Sequence, residues 1–209
     1  QVQTPPIGPA ASIVLHAPGT ILDLVSTSEI FIPPRGNSFQ KFSFDFPEPS
    51  VVFGDYSFGF LVFTDENTYG LDRAAMKVDG NGDALTVTCD RLVWAGGQQT
   101  APGRLTASLR RSAAGIEWDA VVEMDRPVKS VTTIIRGVPR GHVSFGAGGF
   151  RDPRDDELLA GYAFGAGDLN GPGGSMATPL LMIQTAGDVF YVSSLDDHMR
   201  PKRFYLAPG

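Results

Sequence analysis

Alternation of apolar and polar residues with a period of two runs through this chain and limits what it can fold into. The clearest stretch sets Ile116, Trp118, Ala120, Val122 and Met124 against Glu117, Asp119, Val121, Glu123 and Asp125. Successive side chains of a strand point to opposite faces, so one face is apolar and the other mostly acidic. A half-buried antiparallel strand gives that pattern. Phe42, Phe44 and Phe46 alternate with Lys41, Ser43 and Asp45; Leu105, Ala107 and Leu109 with Thr106, Ser108 and Arg110; Leu85, Val87 and Cys89 with Thr86, Thr88 and Asp90. Further strands are expected at Ser12–His16, Thr20–Val25, Ser50–Phe53, Phe58–Phe63, Val128–Arg136, Leu180–Gln184, Val189–Ser193 and Arg203–Leu206. Dense turn punctuation separates them (PPRGN, PEPS, DGNGD, GGQQTAPG, GPGG). The pattern predicts an all-β chain with little helix: a large antiparallel β-sandwich, two sheets face to face. Asp155–Tyr162 has room for a turn or two of helix, inside a long Gly- and Asp-rich loop over Gly146–Ser175.

Composition narrows the class. A chain of 209 residues suits one large sandwich domain over residues 1–209 and buries enough surface to need no covalent staple. Charged residues are 19%, below the usual ~25%, while 25 Gly and 16 Pro are many turn-formers. Coiled coils, helical bundles and disordered chains are excluded. No apolar run approaches ~18 residues, so no membrane-spanning helix is expected. A net charge of −6 lacks the basic excess that nucleic acid requires. The lone Cys89 forms no intrachain disulfide and sits on an inward face as a small core residue. The polar, Pro-rich start QVQTPPIGPAA suits a chain that follows a removed leader, so export to the periplasm or outside is preferred to the cytoplasm.

Motifs for catalysis are scarce. His16, His142 and His198 lie far apart, and no CxxC or HExxH spacing is present, so no metal site and no cofactor are expected. Asp79–Asp83 begins like a calcium loop, but Ala84 stands where the loop needs glycine; a Gly-rich hairpin turn is the expectation. Acyl and phosphoryl transfer lack G-x-S-x-G and P-loop motifs. Glu117, Asp119, Glu123 and Asp125 share a strand face, as paired glycosidase carboxylates or a solvated sheet face would. Asp65-Glu66 ends a strand as a functional loop or a capped turn. The densest polar cluster is Ser193–Tyr205, where Asp196, Asp197, His198 and Arg200 stand between two strands. Its acids and cations suit a hydroxyl-rich ligand; the alternative is a salt-bridged hairpin. Trp94, before the loop AGGQQ, can stack on a sugar ring or pack at the core rim. Trp118 is expected in the core.

The stretches MATPLLMIQT and DVFYVSSLDDHMRPKRFYLAPG, with LVWAGGQQTAPGRL and GIEWDAVVEMDRPVKSVTTIIRGVPRG, resemble the β-sandwich that precedes the TIM barrel of certain glycoside hydrolases. That domain is a galactose-mutarotase-like supersandwich, and the resemblance runs from about Phe39 onward. It implies that Asp196 and Asp197 lie in a turn that reaches substrate, with a catalytic TIM-barrel domain or chain as partner and carbohydrate as ligand. The mutarotase histidine and glutamate motif has no visible counterpart here. Lys202–Ala207 followed by Pro208-Gly209 reads as a strand and a turn leading into further chain, so the domain is expected to be the N-terminal part of a longer polypeptide. The function expected is a carbohydrate-active sandwich that helps form a glycosidase's sugar site. The alternatives are a stand-alone sugar isomerase, epimerase or paired-carboxylate hydrolase, and a non-catalytic structural sandwich. Substrate-binding residues are expected to be Asp196, Asp197, His198, Arg200 and Trp94.

Overall fold

The computed structural model describes residues 11–13, 20–27, 49–94, 99–144, 149–150, 159–162, 180–194 and 202–208. Among them there is no helix, and the fold is all-β. The strands are β1 (Ala11–Ile13), β2 (Thr20–Thr27), β3 (Ser50–Phe53), β4 (Tyr56–Thr64), β5 (Thr68–Leu71), β6 (Met76–Gly80), β7 (Ala84–Trp94) and β8 (Thr100–Ser112). They continue with β9 (Gly115–Met124), β10 (Val128–Val138), β11 (His142–Ser144), β12 (Leu159–Tyr162), β13 (Leu180–Gln184), β14 (Val189–Ser194) and β15 (Lys202–Pro208). All pairings are antiparallel and join the strands into one sheet, in the order β11-β13-β14-β1-β9-β8-β7-β5-β4-β10-β2-β15-β12. Two short strands branch off: β3 pairs β4 and β6 pairs β7.

The sheet curls over on itself, and β5 joins its two halves. This four-residue strand, buried throughout, pairs with β4 on one side and with the end of β7 on the other. On either side of it the strands form two layers. Side chains from strands remote in the sheet order meet between them. The Phe58 and Trp118 rings lie 5.6 Å apart, Tyr56 and Phe190 6.1 Å apart, and Trp118 Nε1 donates to Thr133 Oγ1 at 3.2 Å. These contacts tie β4 and β10 to β9 and β14 across a shared interior, the sandwich-like arrangement the alternation predicts.

Alternation decides which side chains fill that interior. Along β9, Ile116, Trp118, Ala120, Val122 and Met124 are all buried, while Glu117 and Asp119 are half-buried and Glu123 is exposed. Leu105, Ala107 and Leu109 of β8 and Val87 and Cys89 of β7 point the same way. The β7–β8 register then shifts between Cys89 and Arg91, and the inward set of β7 passes to Leu92 and Trp94. β4 and β10 differ. Phe58, Phe60, Val62, Val131 and Ile135 face the interior, and Leu61, Phe63 and Ile134 on the opposite face are buried as well. Both strands read as near-continuous apolar runs because both faces leave water.

The strands expected from sequence at residues 50–53 and 180–184 appear with those bounds, and those from Thr20, Phe58, Val128, Val189 and Arg203 appear with slightly longer ones. One expectation is corrected. Leu159–Tyr162 is a strand, not a turn of helix, and it interrupts the loop expected over Gly146–Ser175. The ladder to β15, from Leu159↔Tyr205 to Tyr162↔Lys202, overrides a local sequence too short to specify either state. The alternating Phe42–Phe46 segment lies outside the described residues.

Candidate functional site

The four polar residues expected to bind substrate, Asp196, Asp197, His198 and Arg200, lie outside the described residues. The strands on either side of them are described. β14, which ends at Ser194, pairs with β13 and β1; β15, which starts at Lys202, pairs with β2 and β12. Among the described residues the two do not pair with each other.

Trp94 is inward and half-buried at the core rim, and its backbone N–H donates to Gln99 O at 2.7 Å. One register row runs Trp94–Tyr69–Val62–Val131–Ser26–Lys202. Five strand steps of 4.7–4.9 Å put Trp94 roughly 24 Å from Lys202, measured along the sheet. Trp94 and the start of β15 are thus not neighbours within the sheet.

The carboxylates singled out from sequence are mostly engaged. Thr64 Oγ1 accepts from the backbone N–H groups of Glu66 and Asn67, which makes Asp65-Glu66 a capped turn. Asp65 pairs with Lys129 at 3.3 Å and Glu66 with Arg126 at 3.1 Å. Arg126 also reaches Asp125 and the Tyr69 hydroxyl, so this cation pins the β9–β10 crossover to the β4–β5 turn. Asp125, hydrogen-bonded to Arg126, is held below the usual carboxylate range. The Asp79–Asp83 segment closes the β6–β7 hairpin. Asn81 Oδ1 accepts from Asp83 N–H at 2.9 Å, and Gly80 adopts φ 126° where a Cβ would stand 2.2 Å from Ala84 O. Cys89 is fully buried, its thiol donates to Arg91 O at 2.9 Å, and burial pushes its pKa up. Among the described residues no three His, Cys, Asp or Glu side chains gather as a metal site.

What the structure does assemble is the outward face of β7, β8 and β9. The two-residue loop Ala113-Ala114 sets Ser112 opposite Gly115, and every later pair follows from it. Arg110 faces Glu117, Ser108 faces Asp119, Thr106 faces Val121 and Arg104 faces Glu123. Thr86 and Thr88 of β7 continue the Ser108 and Thr106 rows. The Arg110–Glu117 ion pair stands at one end of this strip, and at the other Arg104 meets Asp90 at 3.4 Å. A groove of about 310 Å³ lies between Arg104, Thr106, Val121 and Glu123. Sequence periodicity assigns these residues to outward faces but does not align two strands. Counting outward from the two-residue turn is the signal that does.

Asp119, half-buried on this face, has its pKa raised by burial, partly offset by Arg110. A carboxyl whose folded pKa lies above its unfolded value holds its proton more tightly when folded. Stability is then lost as pH rises from the unfolded value through the raised one. Asp119→Asn is expected to raise the melting temperature at about pH 7 and to leave it unchanged at about pH 3, where the parent carboxyl is protonated. Melts at the two pH values check this, and an equal shift at both would assign the change to packing.

Comparison with protein-family models, characterised proteins and solved structures returned no match.

Proposed function

We propose that this chain is a carbohydrate-binding β-sandwich of the galactose-mutarotase-like supersandwich kind that works beside the TIM-barrel domain of a glycoside hydrolase, and that the β7–β9 outward face receives the sugar. The observation that carries it is the groove between Arg104, Thr106, Val121 and Glu123. Arg104 supplies forked donors, Glu123 supplies acceptors, the Thr106 hydroxyl does both, and Val121 offers an apolar surface to the C–H face of a sugar ring. Thr86, Thr88 and Ser108 extend the hydroxyl-bearing surface across neighbouring strands. Rigid, regularly paired strands hold these groups in place.

Affinity electrophoresis against a panel of soluble neutral and acidic polysaccharides tests the reading, with titration calorimetry on any that retards the chain. Losing a charged hydrogen bond to ligand typically costs about 1.5–3 kcal/mol. Arg104→Ala and Glu123→Ala are therefore expected to weaken binding by roughly 10- to 150-fold. Asp196→Ala runs in parallel. If it alone loses binding, the sugar sits at residues 195–201 rather than on the groove. If no polysaccharide retards the parent chain, the carbohydrate reading falls.

A further inference from the structure

β6 is an edge strand. Its five residues pair with β7 on one side, and among the described residues no strand pairs with the other. Lys77, Val78, Asp79 and Gly80 are exposed, and Val78 is one of the few large apolar side chains at the surface, 47% accessible. The direction of its free hydrogen-bonding groups follows from the hairpin. Asn81 N–H donates to Ala84 O at 2.8 Å across the turn. Bonded and non-bonded pairs alternate in an antiparallel ladder, so Asp79↔Thr86 and Lys77↔Thr88 are bonded to β7. The N–H and C=O of Met76, Val78 and Gly80 therefore point away from the sheet.

We propose that β6 pairs with β6 of a second copy of this chain, antiparallel, about a twofold axis through Val78. In that register Val78 faces Val78 of the other copy, and the two exchange both backbone hydrogen bonds. Lys77 faces Asp79 and Asp79 faces Lys77, giving two opposite-charge cross-strand pairs on the outward face. Met76 faces Gly80, so the longest side chain meets the position without one. Charges on an edge strand commonly block such pairing. Here their spacing about Val78 makes the edge self-complementary, which commits the occupant to a second copy. The pairing would join two β6–β9 faces into one continuous surface.

Sedimentation equilibrium of the 209-residue chain from about 1 μM to about 1 mM tests this, because a short edge ladder falls at the weak end of interfaces. A monomer–dimer equilibrium is expected. Lys77→Glu replaces two attractive pairs with two repulsive ones and should weaken dimerisation at least about tenfold. The double variant Lys77→Asp with Asp79→Lys keeps the pairs with their signs exchanged and should restore the parent constant. Both positions are exposed, so far-ultraviolet circular dichroism should stay at the parent spectrum. A monomer across the whole range overturns the proposal. A dimer indifferent to Lys77→Glu, or a double variant that stays monomeric, overturns it equally.

Discussion

Trp118→Ala is expected to cost about 3–5 kcal/mol, a large part of the 5–15 kcal/mol that holds a typical domain together. Trp118 is 2% exposed, its ring lies 5.6 Å from that of Phe58, and its Nε1 donates to Thr133 Oγ1. Truncation opens a cavity between the two layers and leaves the Thr133 hydroxyl without this donor, which places the cost toward the upper end. Glu117→Ala, one residue away on the other face, removes a partly exposed ion pair with Arg110 and should cost less than about 1 kcal/mol. Urea midpoints followed by circular dichroism compare the two. If the order of the two costs were reversed, β9 would be out of register by one residue.

Thr132→Val should do the opposite and stabilise the chain by about 1–2 kcal/mol. Thr132 Oγ1 and Ser130 Oγ are buried and have no hydrogen-bond partner among the described residues. Both lie on the outward face of β10, opposite Leu61 and Phe63 of β4. A hydroxyl taken out of water without a partner loses about 1–3 kcal/mol, and valine keeps the shape without that loss. In a chain of this size each kcal/mol moves the melting temperature by about 2–4 °C. Calorimetry of the single variant decides the matter. A fall in melting temperature would mean that the hydroxyl is satisfied in solution.

The sequence revealed most where one face is wet. On β9 the alternation named every inward residue, on β8 it named Leu105, Ala107 and Leu109 but not the buried Ala101, and the turn residues DGNGD located the β6–β7 hairpin. The apolar runs of β4 and β10 announced strands but not which face looks inward, since both do. The strands at Thr68–Leu71 and His142–Ser144 escaped notice because four and three residues are too few for a period to show. The change of inward parity after Cys89 is invisible for a different reason. It depends on how β7 pairs with β8, and pairing is not written in either strand alone. The same limit hid the groove, whose residues come from two strands. Asp196, Asp197, His198 and Arg200, outside the described residues, stay with the sequence-based expectation.

The places of β1 and β2 in the sheet bear on how the chain is made. β1 lies between β9 and β14, and β2 between β10 and β15. Among the described strands, neither pairs with its neighbours in sequence. A ribosome delivers both before any strand they will touch, and each gains its second partner only after roughly the last tenth of these residues has emerged. The middle of the chain, from β3 to β9, can close its hairpins during synthesis; the first strands cannot. Contacts between such distant segments close slowly and leave unpaired edges waiting. The interval between the first strands and the last is therefore when nascent chains are open to pairing with one another, and when a chaperone that covers β-edges would matter most to yield.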